Sequence, residues 1–510
     1  MAKTIEELGK VLGIEVPDAG ALEITGLAYN SKEIKAGDAF FCIPGEKFDG
    51  NKFISDAIKA GALLIVSEKD KPEDLDKNFN GAYFKVECVR TAMGQLASYF
   101  FDYPSTKLRL LGVTGTNGKT TTTHVIEHVL NASGFKTALI GTMGVRWPGK
   151  ADFVDTHHTT PQSIDLQKLL AQMVKDGVTH AAMEVSSHAI FLKRVEGCQF
   201  ASASLTNLTQ DHLDFHKTMD QYRYAKLGLW DLLSLSNAKD KTSVINKDDP
   251  SVIYFTQATP ESATLFTFGF KESDFQVLSA KYSGTGTEIV LKTPESKDEV
   301  KLTLPLLGEF NVYNTLTAMA VCFGEGVSVS QFQKALSTFE SVPGRFQLVA
   351  LGENESKNDK NSPICIVDYA HTPDGLEKIL KAARPMVEDG KKLFVVFGCG
   401  GDRDPMKRPK MAEVAASLAD QLIITSDNPR SEDPDKIIED ILAGIDQSKK
   451  EKVAVEACRR TAIYQTIAQA QAQDMVVVAG KGHETYQILK DRTIDFNDAE
   501  EIKIALKKRL

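Results

Sequence analysis

The stretch Leu110–Thr123, LLGVTGTNGKTTTT, gathers the residue types that hold a phosphate. Backbone N–H groups in a turn through Gly115, Thr116, Asn117 and Gly118 can converge on an anion. The positive end of the helix that follows adds to this, Lys119 supplies a point charge, and the Thr120 hydroxyl can reach Mg²⁺. Glycine is required because a Cβ would block both positive φ and close approach to the phosphates. The common form of such a loop is G-x-x-x-x-G-K-[ST]. Here Val113 stands where the first glycine belongs, and the glycines fall at 112, 115 and 118. The plainer alternative, a turn that only joins a strand to a helix, leaves the Lys119–Thr120 pair unexplained. The stretch reads as a nucleotide site.

Eight of the ten histidines lie between His124 and His216, and two clusters there could hold a metal. In Glu184-Val-Ser-Ser-His188 the carboxylate ends an apolar run, which suits Mg²⁺, a hard cation that takes oxygen ligands. In Asn207-Leu-Thr-Gln-Asp-His212, either Asp211 or His212 could complete a metal shell; a hydrogen-bonded core or surface histidine is the ordinary alternative. Thr159-Thr160-Pro161 reads first as a capped helix entry. Lys226, within a helical pattern, reads first as a solvated lysine. In the last third, Asp427-Asn428-Pro429-Arg430 has turn chemistry plus an arginine that can grip a carboxylate bidentately. Gly480-Lys-Gly-His-Glu484 can bring backbone close to a ligand, with Glu484 facing an ammonium group or solvent.

Positioning these groups needs strands that end where they begin. From Lys107 to about Gly344, candidate strands (136–141, 179–185, 201–206, 243–246) alternate with candidate helices (119–133, 163–176, 218–235), the pattern of a mainly parallel sheet covered on both faces. Phe275–Leu304 alternates polar and apolar around Gly284-Thr-Gly, which predicts an antiparallel excursion. From about Phe346 a second doubly wound unit begins. Its strands 364–368, 392–397, 421–425 and 475–479 deliver the polar clusters at their carboxyl ends, where such sheets bind ligands. Before Lys107, helices at 4–12, 51–62 and 89–101 accompany strands at 39–43 and 63–67; Tyr29–Gly50 is loop-rich. The one low-complexity patch is Glu353–Ser362. The fold class expected is α/β in three domains: a small mixed α/β domain over 1–107, a central P-loop ATPase-like domain over 108–345, and a Rossmann-like domain over 346–510.

Composition narrows the function. With 510 residues, 42% hydrophobic and 25% charged, the chain has the make-up of a multidomain globular protein. No apolar run reaches a bilayer's span, and the N-terminus does not read as a signal peptide. A net charge of −9 disfavours general nucleic-acid binding. Seven cysteines without a C-x-x-C pair predict reduced, mostly buried thiols and a cytoplasmic protein.

Taken together, GVTGTNGKTTTT, TTP, EVSSHAIFLKRV, TNLTQDHLDFH, YAK, GEFNVYNTLTA, PGRFQ, DYAHTPDGL, FGCGGDRD, SDNPRSEDP and AGKGHETYQ, with NSKEIKAGDAFF before them, resemble the Mur ligase family, ATP-dependent amino-acid ligases of peptidoglycan precursor synthesis. The irregular phosphate loop matches that family's own G-T-x-G-K-[TS]. The resemblance implies ATP, two Mg²⁺ ions and a CO₂-derived carbamate on Lys226, with Glu184 and His212 as its metal partners and Lys119 and Thr120 serving the nucleotide. Residues 115–121, including Thr121, with Asn311, Asn314, Arg345, Asp368 and His371, would surround ATP. Asn30, Ser31, Thr159, Thr160, Ser186 and Arg194 would hold UDP-N-acetylmuramoyl-L-alanyl-D-glutamate. The family often has glutamine two residues before that arginine, where Leu192 stands here. Arg403, Asp427, Asn428, Arg430, Gly480 and Glu484 would form the pocket for the incoming amino acid. Arg430 matches the arginine of the family's meso-diaminopimelate-adding branch, which the lysine-adding branch lacks. A monomer is expected, with neither nucleic-acid nor membrane partner. The alternatives are the lysine-adding activity, a folylpolyglutamate synthetase-like enzyme, and a non-catalytic nucleotide switch.

Overall fold

A computed structural model describes residues 2–16, 19–45, 49–73, 75, 79–156, 158–284, 286–351 and 361–509. Nearly all of the low-complexity patch at 353–362, part of the Tyr29–Gly50 loop, and Thr285 of the Gly284–Gly286 turn lie outside the described residues. The chain forms two compact units, Met1–Phe275 with Leu316–Phe332, and Gln276–Thr315 with Gln333–Leu510.

The first unit opens with helix Ile5–Leu12, started by a capping box in which Thr4 and Glu7 exchange bonds. A four-stranded parallel sheet follows, in the order Gly26–Ala28, Asp38–Phe41, Leu64–Ser67, Ala82–Lys85. Side chains alternate across it: Ala39, Phe41, Leu64 and Val66 pack with helix Val89–Phe100, while Phe40, Cys42 and Ile65 pack with helix Ile54–Lys59. Burial on both faces explains why these strands read as unbroken apolar runs. The helix expected over 51–62 divides into a 3₁₀ turn, Gly50–Phe53, and the α-helix Ile54–Lys59.

The phosphate-loop strand Arg109–Thr114 sits mid-sheet between His180–Glu184 and Phe200–Leu205, parallel to both. Outward on one side lie Thr137–Gly141, Gly144–Trp147 and Lys150–Val154, and on the other Lys241–Asn246 and Ala263–Gly269. Leu110, Met183, Ala203 and Leu205 join Leu229, Trp230 and Leu233 of helix Met219–Leu235 in one core. Each fully buried leucine there contributes about 1.5–3 kcal/mol. The Trp230 indole N–H donates to Ser243 Oγ at 2.8 Å, so its burial strands no donor. Helices consequently cover the sheet, and the strands' carboxyl ends carry the loops that matter.

In the second unit, Phe275–Ser283, Gly286–Thr293 and Ser296–Leu304 pair antiparallel, as the alternation predicts. Its main sheet has the order Gln347–Val349, Ile364–Asp368, Met475–Ala479, Leu393–Phe397, Gln421–Ile424, Val453–Val455, parallel except for the first edge strand. Ile366, Val395 and Val477 face one core; Val367, Val396 and Val478 face the other. The helix expected through Val387 stops at Ala383 and tightens into the 3₁₀ turn Arg384–Met386, because Pro385 has no N–H to continue it. The C-terminal helix Asp498–Arg509 is tied in by Arg459, whose guanidinium pairs with Asp498 at 2.7 Å, both side chains fully buried. Five of the seven cysteines are buried, and none forms a disulfide. Among the described residues no helix is long and apolar enough to cross a membrane.

Candidate functional site

The phosphate loop is pinned from below. Thr116 N–H donates to Asn207 O at 2.8 Å, Asn117 N–H to Asn207 Oδ1 at 3.1 Å, and the Thr116 hydroxyl to Thr209 O at 3.0 Å. The Thr206 hydroxyl donates to Asn117 O at 2.6 Å. Gly115, at φ 148°, cannot be replaced, since a Cβ there would fall 1.9 Å from Thr206 Oγ1. Two turn amides are thus committed to Asn207. The anion cradle expected across the whole turn therefore lacks the Thr116 and Asn117 amides; beyond them Gly118 (φ 88°) leads into helix Lys119–Ala132, which starts without a side-chain cap. Lys119 Nζ lies over the loop, donating to Gly115 O and Thr116 O at 2.9 Å each.

One strand away, Glu184 ends His180–Glu184 and is 1% exposed. Its carboxylate accepts from the Thr120 hydroxyl at 3.1 Å, Thr142 N–H at 2.9 Å and the Thr142 hydroxyl at 3.1 Å. No cation pairs with it among the described residues. A buried carboxylate surrounded by neutral donors is a costly arrangement unless a cation joins it. Gly141 makes the close packing possible, since a Cβ would come within 2.2 Å of Glu184 Oε1. Thr142 and Gly141 escaped the sequence reading; the signal was a glycine–threonine pair at the carboxyl end of a strand beside the phosphate loop.

Lys226 is not solvated, as its helical context suggested, but 1% exposed. Its Nζ donates to Gly115 O at 2.7 Å and lies 4.5 Å from the Tyr222 ring centre, with no carboxylate in ion-pairing range among the described residues. Burial, reinforced by the Lys119 charge, pushes its pKa well below the usual lysine value. His212, 45% exposed in its side chain, starts a short helix at φ 52° and lies 3.6 Å from Asp211. Its ring centre is 4.8 Å from that of His188 and 6.0 Å from that of Tyr222. Burial and then the His212 and His216 charges push His188 down to about 4. His216 Nε2 meets Ser187 Oγ at 3.0 Å.

Thr160 does not cap a helix, contrary to the simplest expectation. Gln162 is the N-cap of helix Ser163–Lys175 and makes no side-chain capping bond. The buried Thr160 hydroxyl donates instead to Glu184 O at 2.8 Å and accepts Ser186 N–H at 3.3 Å, joining two strand-end loops. Thr159 Oγ1 meets Thr142 Oγ1 at 3.1 Å. The Ser186 hydroxyl caps its own short helix by accepting Ala189 N–H. Arg194 NH1 donates to Thr160 O at 3.2 Å. Asn30 is occupied locally, bonded to Glu33 and accepting Lys32 N–H, with Ser31 in the same turn.

In the second unit the polar clusters do fall at strand ends. The Asp368 carboxylate accepts N–H groups of Phe346 at 2.7 Å and Ala370 at 2.8 Å; burial pushes it up and Arg345 pulls it back. Arg345 lies 5.0 Å from the Tyr369 ring centre, and His371 Nδ1 is 2.9 Å from Tyr369 O. Asn311 and Asn314 are buried and bonded to each other at 2.9 Å. Asn428 Nδ2 donates to Glu484 Oε2 at 2.9 Å, and the buried Lys481 Nζ donates to Glu484 at 2.9 Å and Asn428 Oδ1 at 3.2 Å. Of the two alternatives, an ammonium group or solvent, Glu484 faces an ammonium group, and it is the chain's own Lys481 that supplies it. Asp427 lies beneath Gly480, whose added Cβ would fall 2.6 Å from Asp427 Oδ2. Arg430, at φ 53°, donates through NH1 to Gly401 O at 2.8 Å. Arg403 is exposed and donates to Asp402 O at 3.3 Å.

Three family models cover most of the chain: the Mur ligase middle domain over residues 113–322, the Mur ligase glutamate ligase domain over 344–482, and the Mur ligase family catalytic domain over 23–101. The chain belongs to the Mur ligase family. It is 44% identical over 490 residues to the UDP-N-acetylmuramoyl-L-alanyl-D-glutamate–2,6-diaminopimelate ligase of Thermosynechococcus vestitus, covering 96% of this chain and 94% of the relative. It is 42% identical to the protein of that name from Gloeobacter violaceus, over 100% of this chain and 99% of the relative. A solved structure with the same name superposes with TM-score 0.72 at 31% identity, covering 100% of this Mur ligase and 99% of its own chain.

The fold is that family's three-domain α/β fold, and the chemistry is ATP-dependent C–N bond formation. The donor set around Glu184 fits Mg²⁺, for its carboxylate and the Thr120 and Thr142 hydroxyls are hard oxygens and no soft ligand adjoins them. Among the described residues no three His, Cys, Asp or Glu side chains gather into a cage.

Proposed function

We propose that this Mur ligase joins meso-2,6-diaminopimelate to the D-glutamyl γ-carboxylate of UDP-N-acetylmuramoyl-L-alanyl-D-glutamate, with ATP converted to ADP and phosphate. The observation that carries the reading is identity above 40% to ligases of that name, running through almost the whole chain.

In the first step a γ-carboxylate oxygen attacks the ATP γ-phosphorus and ADP leaves, giving an acyl phosphate. In the second, the amine nitrogen attacks the acyl carbon, loses a proton, and phosphate departs from a tetrahedral intermediate. No protein nucleophile takes part, so positioning and charge neutralisation carry the catalysis. Lys119 and the first-turn amides of its helix hold the phosphate being transferred. Mg²⁺, held by Thr120 and Glu184, would supply the positive charge that lets a carboxylate approach a triphosphate. We assign Lys226 as the site of a carbamate formed with CO₂, supported by its burial beside the phosphate loop without a carboxylate partner. His212 is assigned beside it as a further metal ligand.

Thr159, Thr160, Ser186 and Arg194 are assigned to the muramoyl peptide, with Asn30 and Ser31 toward the uridine. Asn311, Asn314, Arg345, Asp368 and His371 are assigned to the nucleotide. Arg430 and Arg403 are assigned to the amino acid's carboxylates, in a pocket whose floor is Asp427, Asn428, Gly480 and the Lys481–Glu484 pair. The corresponding division of labour is residues 1–107 for the UDP end, 108–345 for ATP and metal, and 346–510 for the amino acid. A single chain in the cytoplasm is proposed as the working unit, which sedimentation of the active protein tests.

Phosphate release with UDP-muramoyl-dipeptide and ATP, comparing meso-diaminopimelate, lysine and no amino acid, tests the whole assignment. Release only with diaminopimelate is expected. Equal release with lysine would reassign the enzyme to the lysine-adding activity, and none with either amine would overturn the ligase reading.

A further inference from the structure

Arg90 is a charge that nothing in the first unit explains. It sits in the first turn of helix Val89–Phe100, half buried, and its NH1 is buried without a hydrogen-bond partner. Among the described residues its guanidinium makes no ion pair. Glu68, the nearest acid to bear on it, spends Oε1 on the Val89 N–H at 2.9 Å. One helical turn on, Gly94 packs so closely on the turn through Glu196 that an added Cβ would lie 2.6 Å from Glu196 Cβ. A further turn on, the Ser98 hydroxyl donates to Gly197 O at 2.9 Å. Positions 90, 94 and 98 share one face, so Arg90 is turned toward the segment that begins at Arg194.

Arg194 is in the same condition. Its NH1 reaches Thr160 O, but its Nε is buried with no partner. Burial, and after it the Arg90 charge, lower its affinity for a proton, so the two cations stand within each other's field. Three residues beyond Thr160, helix Ser163–Lys175 starts without a side-chain cap, and among the described residues the Ser163 hydroxyl is likewise buried and unpartnered. Two partly desolvated guanidiniums beside an uncapped helix start repel one another unless an anion comes between them. Buried donors left unmade in a native fold point to a ligand that completes them.

We propose that Arg90 is a positioning residue that acts with Arg194 as a two-guanidinium clamp on one oxyanion of the UDP-linked substrate. This rests on the substrate reading above. The planar forks suit a carboxylate or a phosphate equally, and the substrate carries both. The clamp fixes where the peptide lies relative to the phosphate loop, without touching the reacting atoms.

Calorimetric titration of UDP-muramoyl-dipeptide and of UDP alone into wild type, Arg90→Gln and Arg90→Lys tests the clamp. Arg90→Gln is expected to weaken the dipeptide ligand about 10- to 100-fold, to leave ATP affinity unchanged, and to raise KM for that substrate far more than it lowers kcat. Arg90→Lys should recover part of the loss. A parallel loss for UDP identifies the diphosphate as the clamped group; UDP binding unchanged identifies a carboxylate of the peptide. Because Arg90 makes no ion pair among the described residues, Arg90→Gln should melt no lower than wild type, while the ligand-induced rise in Tm shrinks. Unchanged dipeptide affinity in Arg90→Gln, or a lower Tm with the ligand-induced rise intact, overturns the clamp. Failure of wild type itself to bind the dipeptide would instead overturn the substrate reading on which the clamp stands.

Discussion

The two units solve the problem of holding charge in opposite ways. Around the phosphate loop, among the described residues, Glu184 meets hydroxyls and an amide but no cation, and Lys226 meets a carbonyl and an aromatic face but no carboxylate. In the second unit several charges are already compensated. Lys481 pairs with Glu484, Arg408 with Glu432 and Asp440 at 2.8 Å each, and Arg459 with Asp498. The first arrangement leaves work for a polyanion and a cation to finish, and its net cost is repaid on binding. The second is a largely finished scaffold, in which Arg403 and Arg430, bonded to backbone carbonyls, are the cations left to meet the substrate's carboxylates. Substitutions should therefore hurt activity in the first unit and stability or selectivity in the second.

The sharpest way to break this contrast is Lys226→Ala. It is expected to lower phosphate release by at least roughly 10³-fold, with partial rescue by added short carboxylates and no loss of fold. Full activity without rescue would remove the carbamate role. In the second unit, Arg459→Met strands Asp498 in the core. Denaturant unfolding should show a loss of about 3–5 kcal/mol, and an unchanged midpoint would deny that the pair is structural. Arg430→Ala should cost roughly 2–4 kcal/mol of preference for diaminopimelate over lysine, read from kcat/KM with each amine. A preserved preference would take specificity away from this arginine. The smallest effect is expected from Gly141→Ala, whose methyl group would press on Glu184 Oε1. Activity should fall about 10- to 100-fold, with the Mg²⁺ requirement moved to higher concentration and Tm nearly unchanged.

Where local pattern decides structure, the sequence was a good guide. Strands Ile364–Asp368 and Met475–Ala479 have the ends that their β-branched runs predict, because burial on both faces leaves no polar residue to blur them. The hairpin Gly144–Trp147 and Lys150–Val154 passed unseen, since Arg146 and Lys150 interrupt the alternation on which strand recognition depends. The site shows the same split. Lys119, Thr120 and Glu184 announce themselves by position in a motif or at a strand end. The burial of Lys226 depends on Tyr222 and on a loop 111 residues earlier, and no helical periodicity encodes that. Thr160 looked like a cap because threonine before a helix usually is one; its hydroxyl instead found a carbonyl 24 residues away. Asn428 meets Lys481 and Glu484 across more than fifty residues, so their mutual pairing was invisible until the sheet brought its strand ends together.

The seating of the phosphate loop on Asn207 and Thr209 bears on the thermodynamics of nucleotide capture. A loop already immobilised by its own hydrogen bonds has little conformational entropy left to surrender, so ATP should bind with a small ordering penalty and without a slow isomerisation. Amide hydrogens of Thr116 and Asn117 should then exchange slowly even before nucleotide is added. The same bonds tie the 206–209 segment to the loop, so the turn that carries Asp211 and His212 starts from a segment held by the phosphate loop itself.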